Sequence, residues 1–84
     1  MPSAPPILDG DLLHAFAAFA RSLNFTHAAR AVGLSQPALF ERIGRLGEQV
    51  GAALYEREGR SLRLTAAGTR VAAFACEELA RATA

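Results

Sequence analysis

The residues of this chain that are best suited to chemistry are polar, and they lie at the start of a predicted helix and at the tip of a predicted hairpin. The segment Ser35-Gln36-Pro37 opens the helix, where unpaired backbone N–H groups and the helix dipole attract an anion such as a phosphate. The amide of Gln36 can form two hydrogen bonds with an adenine edge in the major groove of DNA. Pro37 is rigid and can rest against a sugar or a thymine methyl group. Arg60, at the hairpin tip, has no evident structural role, which favours a contact with nucleic acid.

The remaining reactive residue types are isolated. The single cysteine, Cys76, excludes an intramolecular disulfide and a multi-cysteine zinc site, and its place on an apolar helix predicts that it packs as a small hydrophobe. His14 and His27 are interpreted as surface or cap-adjacent residues. Because the chain has no Ser/His/Asp arrangement, nucleotide loop or metal spacing, we expect no enzyme activity, no cofactor and no bound metal.

Size and charge narrow the class of partner. The 84 residues, 51% of them hydrophobic, make one small domain. Eight arginines and four glutamates lie between Arg21 and Arg70, whereas the two ends are acidic, and a basic centre suits nucleic acid. Every basic residue of the chain is arginine. This preference suits phosphates and guanine edges, but it is equally typical of a protein from a GC-rich genome. No signal peptide or membrane-spanning stretch is evident, so we expect a cytoplasmic, nucleoid-associated protein with no membrane partner.

The elements that position these residues begin with two predicted helices. Residues 1–8 are proline-rich and predict an extended lead-in. Asp9 or Asp11 is a candidate N-cap for the first helix, whose apolar face follows helical spacing. That face consists of Leu12, Leu13, Phe16, Phe19, Ala20 and Leu23. Thr26 is predicted to cap a short helix over residues 27–32, with Phe25 before it as a hydrophobic staple.

A steep turn, a third helix, a hairpin and a fourth helix follow. Gly33 ends the second helix, and Ser35 caps the third, which Gly51 ends. Its predicted buried stripe is Leu39, Ile43, Leu46 and Val50. Residues 54–57 and 62–64 alternate around a glycine-containing tip and predict a hairpin, after which Thr65 caps the last helix. The predicted fold class is all-α with a small β-hairpin wing: a winged helix-turn-helix over residues 1–65, then a C-terminal linker or dimerisation helix over 66–84.

Five motifs occur in order along the chain. They are Asn24-Phe25-Thr26-x-Ala28-Ala29, Leu34-Ser35-Gln36-Pro37-Ala38-Leu39, Ile43-x-x-Leu46, Gly51-x-x-Leu54-Tyr55-x-Arg57 and Leu64-Thr65-x-Ala67-Gly68. Over roughly residues 13–68 the chain closely resembles the N-terminal DNA-binding domain of LysR-type transcriptional regulators; molybdate-responsive regulators look similar in fold. The resemblance implies sequence-specific DNA binding in bacterial transcription regulation, with helix 35–50 in the major groove and the 58–61 wing on the backbone or minor groove.

The resemblance also assigns roles to individual residues. The expected DNA-binding residues are Thr26, Ser35, Gln36, Pro37, Ala38, Phe40, Glu41, Arg45, Arg57 and Arg60. Thr26, at the start of the second helix, is placed to touch the DNA backbone, and the wing arginines map to Arg57 and Arg60. Alternatives stay open, because Thr26 and Ser35 also serve as helix caps and Arg57 serves an internal ion pair equally well.

The reading helix departs from the family pattern after its first turn. Phe40 and Glu41 stand where the family usually has a serine and often a basic residue, and a carboxylate facing DNA is repelled by phosphates unless a cytosine amino group donates to it. Gly44 and Gly47 lie in the helix interior and share one side with Phe40, as expected where another surface approaches the backbone closely. Neutral drift in an alanine-rich sequence is the alternative.

The last helix predicts self-association. Its apolar residues Val71, Phe74, Ala75 and Leu79 exceed what one small core needs, and the LysR family pairs through this helix. We expect a homodimer or higher homo-oligomer on a dyad-related double-stranded DNA operator. We also expect the chain to be a fragment of a longer regulator, whose small-molecule effector binds a domain absent from this sequence. The alternative is a winged-helix protein-interaction module with weakened DNA binding, contacting its partner through the face of Phe40, Gly44 and Gly47.

Overall fold

Four helices and one hairpin make up the fold. The computed structural model describes residues 10–83. Its elements are α1 (Gly10–Ser22), α2 (Phe25–Val32), α3 (Gln36–Val50), β1 (Tyr55–Glu58), β2 (Ser61–Leu64) and α4 (Ala66–Thr83). This order, with β1 and β2 antiparallel, confirms the predicted winged helix-turn-helix with an added C-terminal helix. Of the two predicted caps of α1, Asp9 lies outside the described residues, and Asp11 lies within the first turn.

α1 is the central helix and packs against α2, α3 and α4. Phe16 and Phe19 are fully buried in the main core with residues of α2 and α3. Leu13 and Ala17 lie in a second cluster with residues of α4. The sequence predicted one apolar face for α1, but the structure buries two sides of it, because α4 returns to lie beside it.

The predicted cap of α2 is wrong by two residues. Asn24, not Thr26, is the N-cap: its backbone is extended and its side-chain oxygen accepts a hydrogen bond of 2.8 Å from the N–H of His27. Phe25 is therefore the first residue of α2 and not a staple before it. The chain turns earlier than expected because Leu23 adopts a left-handed conformation, with φ of +53°.

The turn from α2 to α3 and the buried stripe of α3 agree with the prediction. Gly33 is left-handed, with φ of +72°, and Gly51 ends α3 in the same region, with φ of +85°. Leu39, Ile43 and Leu46 are buried, and Val50 is partly buried against the same core. The stripe anchors α3 and turns its opposite side to solvent.

The wing is a hairpin with a two-residue turn. Pairing runs from Tyr55 opposite Leu64 to Glu58 opposite Ser61. Both strands therefore extend one residue closer to the hairpin tip than predicted. Gly59 is the first turn residue, with φ of +63°, and a positive φ there is the pattern of a type II′ turn.

Thr65 joins the wing to α4. Its hydroxyl accepts a hydrogen bond of 2.9 Å from the N–H of Gly68 and donates one of 2.6 Å to the carbonyl of Ala53, which confirms the predicted cap. The first turn of α4 lies so close to the preceding loop that a Cβ on Gly68 would collide with the carbonyl oxygen of Leu54. Close approach therefore requires glycine at this position.

α4 packs its apolar residues within the chain. Ala75 is fully buried beside Leu13 and Ala17 of α1, so it is not available to a partner in this arrangement. The partly buried residues around it are Val71, Phe74 and Leu79. Cys76 is exposed, so the expectation that it packs as a small hydrophobe is wrong: it lies about 100° around the helix from Ala75.

Candidate nucleic-acid interface

The start of α3 is arranged as predicted. The hydroxyl of Ser35 accepts a hydrogen bond of 3.2 Å from the N–H of Ala38, and Pro37 occupies the first turn. Gln36 and Pro37 are exposed, and Ala38 is partly buried. Ser35 pairs with one of the free N–H groups at this end of the helix, and the exposed Gln36 lies beside the positive end of the helix dipole.

Two rows of exposed side chains run along α3 from this start. Residues four apart lie on the same side of a helix, so Pro37, Glu41 and Arg45 form an outward row, opposite the buried stripe. Gln36, Phe40 and Gly44 form the adjacent row. All six positions are exposed, so the predicted reading surface is accessible along its length.

Glu41 is paired within the helix. A nitrogen of the Arg45 guanidinium donates to its carboxylate at 3.4 Å, with the two side chains 55% and 70% exposed. The pair lowers the local negative charge that the sequence predicts to repel phosphates. It also engages Arg45, a predicted DNA contact, in an intrahelical interaction.

Phe40 is the outer end of a group of aromatic rings. It meets Phe25 edge-on, with ring centroids 5.7 Å apart, and Phe25 stacks on Phe19 at 4.5 Å. Tyr55 of the wing approaches both Phe19 and Phe25 edge-on. The rings connect α3, the start of α2 and the wing through direct side-chain contacts.

Thr26 lies at the second position of α2 and is exposed. Within the described part of the chain its hydroxyl has no hydrogen-bond partner, since Asn24 supplies the cap. The capping role that the sequence left open for Thr26 is therefore taken by another residue, and its hydroxyl is available to a ligand.

The wing divides its charged residues between two faces. On one face Arg63 donates to Glu56 at 2.9 Å and to Glu58 at 3.4 Å. The hydrogen bond with Glu56, together with the negative charge of Glu58, raises the pKa of Arg63. Arg57 and Arg60 form no ion pair with any residue in the range 10–81, so the internal ion pair that was the alternative for Arg57 does not form there.

An open cleft of about 550 Å³ separates the start of α2 from the wing. Its lining residues are Ser22, Leu23, Asn24, Phe25, Thr26, Arg57, Arg60, Ser61 and Leu62. It thus brings together three predicted DNA contacts, Thr26, Arg57 and Arg60, from parts of the sequence more than thirty positions apart. Sequence reasoning missed the cleft. It also missed that Asn24, which lines the cleft, caps α2, although asparagine is among the preferred N-cap residues.

Tyr55 contacts Phe25, one of the residues that line the cleft. Partial burial raises the pKa of its hydroxyl, and the nearby positive charge of Arg57 opposes that shift. Arg57 therefore lies near enough to Tyr55 for its charge to act on the hydroxyl.

Among residues 10–83 no group of three or more His, Cys, Asp or Glu residues is placed to hold a metal ion. Within the same range no helix is both long and apolar enough to span a membrane.

The likeness to known proteins covers most of the chain. Residues 11–69 match the family model for bacterial regulatory helix-turn-helix proteins of the lysR family. The chain is 48% identical over 62 residues to the HTH-type transcriptional regulator BbuR of Bordetella bronchiseptica, covering 74% of this chain and 19% of that protein. It is 47% identical over 68 residues to BudR of Klebsiella aerogenes, covering 81% of this chain and 48% of that protein. It therefore spans at most about half the length of these relatives.

Solved structures give the same result for the fold. The DNA-binding domain of BenM in complex with catB site 1 DNA superposes with a TM-score of 0.83 at 29% identity, over 89% of this chain and 83% of that one. The DNA-binding domain of CbnR in complex with DNA superposes with a TM-score of 0.81 at 32% identity, over 89% of this chain and 86% of that one.

Proposed function

This chain belongs to the LysR family of bacterial regulatory helix-turn-helix proteins, and from that premise we propose how it binds DNA. The start of α3 enters the major groove, where Gln36 reads a base edge and Pro37 packs against the adjacent sugar or base. The wing follows the flanking backbone or minor groove through Arg60. The domain serves sequence-specific recognition in transcription regulation.

The cleft between α2 and the wing is the observation that carries this proposal. A hydroxyl and two guanidinium groups without ion-pair partners in residues 10–81 converge there from Thr26, Arg57 and Arg60. Phe25 lines the cleft and also contacts Phe40 of α3, so the cleft adjoins the reading helix. We therefore expect a DNA phosphate to occupy the cleft while α3 contacts the neighbouring bases.

The experiment compares three arginine variants of the wing on one operator. Arg57→Ala, Arg60→Ala and Arg63→Ala each remove one positive charge, but only Arg63 is paired with glutamates in the folded chain. We expect the Arg57 and Arg60 variants to bind about tenfold more weakly and to lower the slope of log K against log salt by about one each. The Arg63 variant should keep the wild-type slope.

Equal changes in all three variants would show a general charge effect and would contradict the cleft as a phosphate site. Binding that is absent or insensitive to salt in the wild-type chain would contradict the proposed function. It would favour the protein-interaction module, for which the shallow apolar groove beside Gly44 and Gly47 is a candidate surface.

We further propose that two copies bind a dyad-related operator, with the wider regulator responding to a small molecule through another domain. The family membership supports this arrangement, and α4 is the element that we expect to form the contact between copies. Val71, Phe74 and Leu79 are partly exposed and remain the predicted contacts between copies. Ala75 is fully buried in the cluster against which they pack.

A further inference from the structure

We propose that Phe40 determines specificity by contacting the 5-methyl group of a thymine in the major groove, an inference that rests on the proposed DNA-binding function. The ring is 59% exposed, and among the described residues no other large hydrophobic side chain is exposed. Exposing a phenyl ring to water is unfavourable, so burial against a bound partner would stabilise the complex.

The position of Phe40 on α3 indicates what that partner is. It follows Gln36 by one turn, about 6 Å along the helix, and thus lies next to the base pair that Gln36 would read. Gly44 follows after one more turn, where even an added Cβ would meet nothing within 4 Å. The thymine methyl is the apolar group that base pairs present in the major groove, and this open row admits it beside the ring.

The ring is held before any ligand arrives. Its edge-on contact with Phe25 is continued by the stack of Phe25 on Phe19, which is fully buried. A ring fixed by its neighbours loses little conformational entropy on binding. The aromatic group therefore supports the exposed ring of Phe40 from one side.

A protein partner fits these observations less well. Specific protein interfaces cover contiguous apolar patches with several large side chains. The surface residues around Phe40 on α3 are Gln36, Pro37, Glu41 and Gly44, and the groove beyond Gly44 is lined largely by glycine and alanine. A single exposed ring beside the reading end matches a single methyl group better than it matches a protein surface.

The test uses an operator obtained by selecting bound fragments from random DNA. Each thymine of a half-site is replaced in turn by deoxyuridine, which lacks only the 5-methyl group, and affinities are measured by fluorescence anisotropy. We expect one position at which the replacement weakens wild-type binding about fourfold, the value of one buried methyl group. Phe40→Ala should bind the thymine operator and the deoxyuridine operator with equal affinity. Phe40→Leu should retain part of the wild-type difference in affinity between them. Circular dichroism melting shows that each variant is folded.

Four results would overturn the proposal. A wild-type chain that binds its operator specifically but is insensitive to every deoxyuridine would remove the methyl contact and leave the proposed function intact. A Phe40→Ala variant with the full wild-type penalty would assign the contact to another residue, and weakened binding to a protein in that variant would identify a protein surface instead. A folded wild-type chain without specific DNA binding would overturn the function itself.

Discussion

Charged residues of α3 and the wing differ mainly in whether another residue already pairs with them. Arg63 and Arg45 hold glutamates of the same chain, whereas Arg57 and Arg60 have no such partner among residues 10–81. An exposed ion pair contributes little to stability, so the pairing matters more for which charges reach a ligand. The sequence does not show which arginines form ion pairs, so it left open whether Arg57 contacts DNA or forms an internal ion pair.

Glu41 provides a test of repulsion at the residue scale. Glu41→Arg or Glu41→Gln should raise DNA affinity, by roughly two- to threefold for the neutral variant, because a carboxylate is removed from the outward row and Arg45 is released. The free energy of unfolding should fall by only about 0.3–0.5 kcal/mol, the value of an exposed i,i+4 pair. Binding isotherms and urea denaturation measure the two effects.

Glu48→Gln is the matched control for Glu41. Glu48 is exposed on the same helix two turns further on and forms no ion pair within the described part of the chain. A smaller gain in affinity is expected there. If both variants gain equally, the effect is one of net charge, and if neither gains, the repulsion argument is wrong.

At the scale of elements, two glycines in helices have opposite requirements. A Cβ on Gly44 would meet open space, but a Cβ on Gly68 would collide with the backbone of Leu54. The sequence shows both as glycines inside predicted helices and cannot separate them, because the difference comes from a loop that only the fold brings close.

Two alanine substitutions should therefore move stability in opposite directions. Gly44→Ala should stabilise the chain by about 1 kcal/mol, because alanine loses less backbone entropy in a helix. Gly68→Ala should destabilise it by about 3 kcal/mol, because the loop carrying Leu54 must move away from α4. Chemical denaturation of both variants measures this, and a stable Gly68→Ala variant would contradict the close packing of α4 on the loop.

Capping is a second prediction at this scale. Thr65→Ser should be nearly neutral, whereas Thr65→Ala should cost about 1–2 kcal/mol, because its hydroxyl both caps α4 and donates to Ala53. Thermal melting of the two variants measures the difference. Equal melting temperatures would mean that the hydroxyl does not join the wing to α4.

At the scale of the whole molecule, α1 lies between two apolar clusters. The main core includes Phe16 and Phe19, and the smaller cluster holds Leu13 and Ala17 against α4. The smaller cluster is where the fold and the proposed dimer compete for the same residues. Phe74 and Leu79 are packed against this cluster and are also still partly accessible.

Self-association is tested by the concentration dependence of melting. A dimer melts at a higher temperature as protein concentration rises, because association stabilises the folded state by mass action. We expect this dependence in the wild-type chain and its loss in Phe74→Ala. Leu13→Ala, in the same cluster but 4% exposed, should lower the melting temperature at every concentration and keep the dependence. A wild-type chain with no dependence would contradict pairing through α4.

The sequence by itself determined the order of elements, the caps at Ser35 and Thr65, the left-handed glycine that ends α2 and the buried stripe of α3. These features depend on residues a few positions apart, whose spacing reports helical or strand geometry directly. It also determined which polar side chains stand at the start of α3, because helix polarity and the position of Gln36 are local properties.

Only the tertiary structure decided the contacts between distant segments. It placed Thr26 beside Arg57 and Arg60 across a cleft, supported Phe40 on Phe25, and set Leu54 against Gly68. It also moved the cap of α2 to Asn24, since the left-handed Leu23 turns the chain early to pack α2 on α1. Such contacts follow from how helices pack in three dimensions, and the periodicity of a single segment carries no information about its distant neighbours.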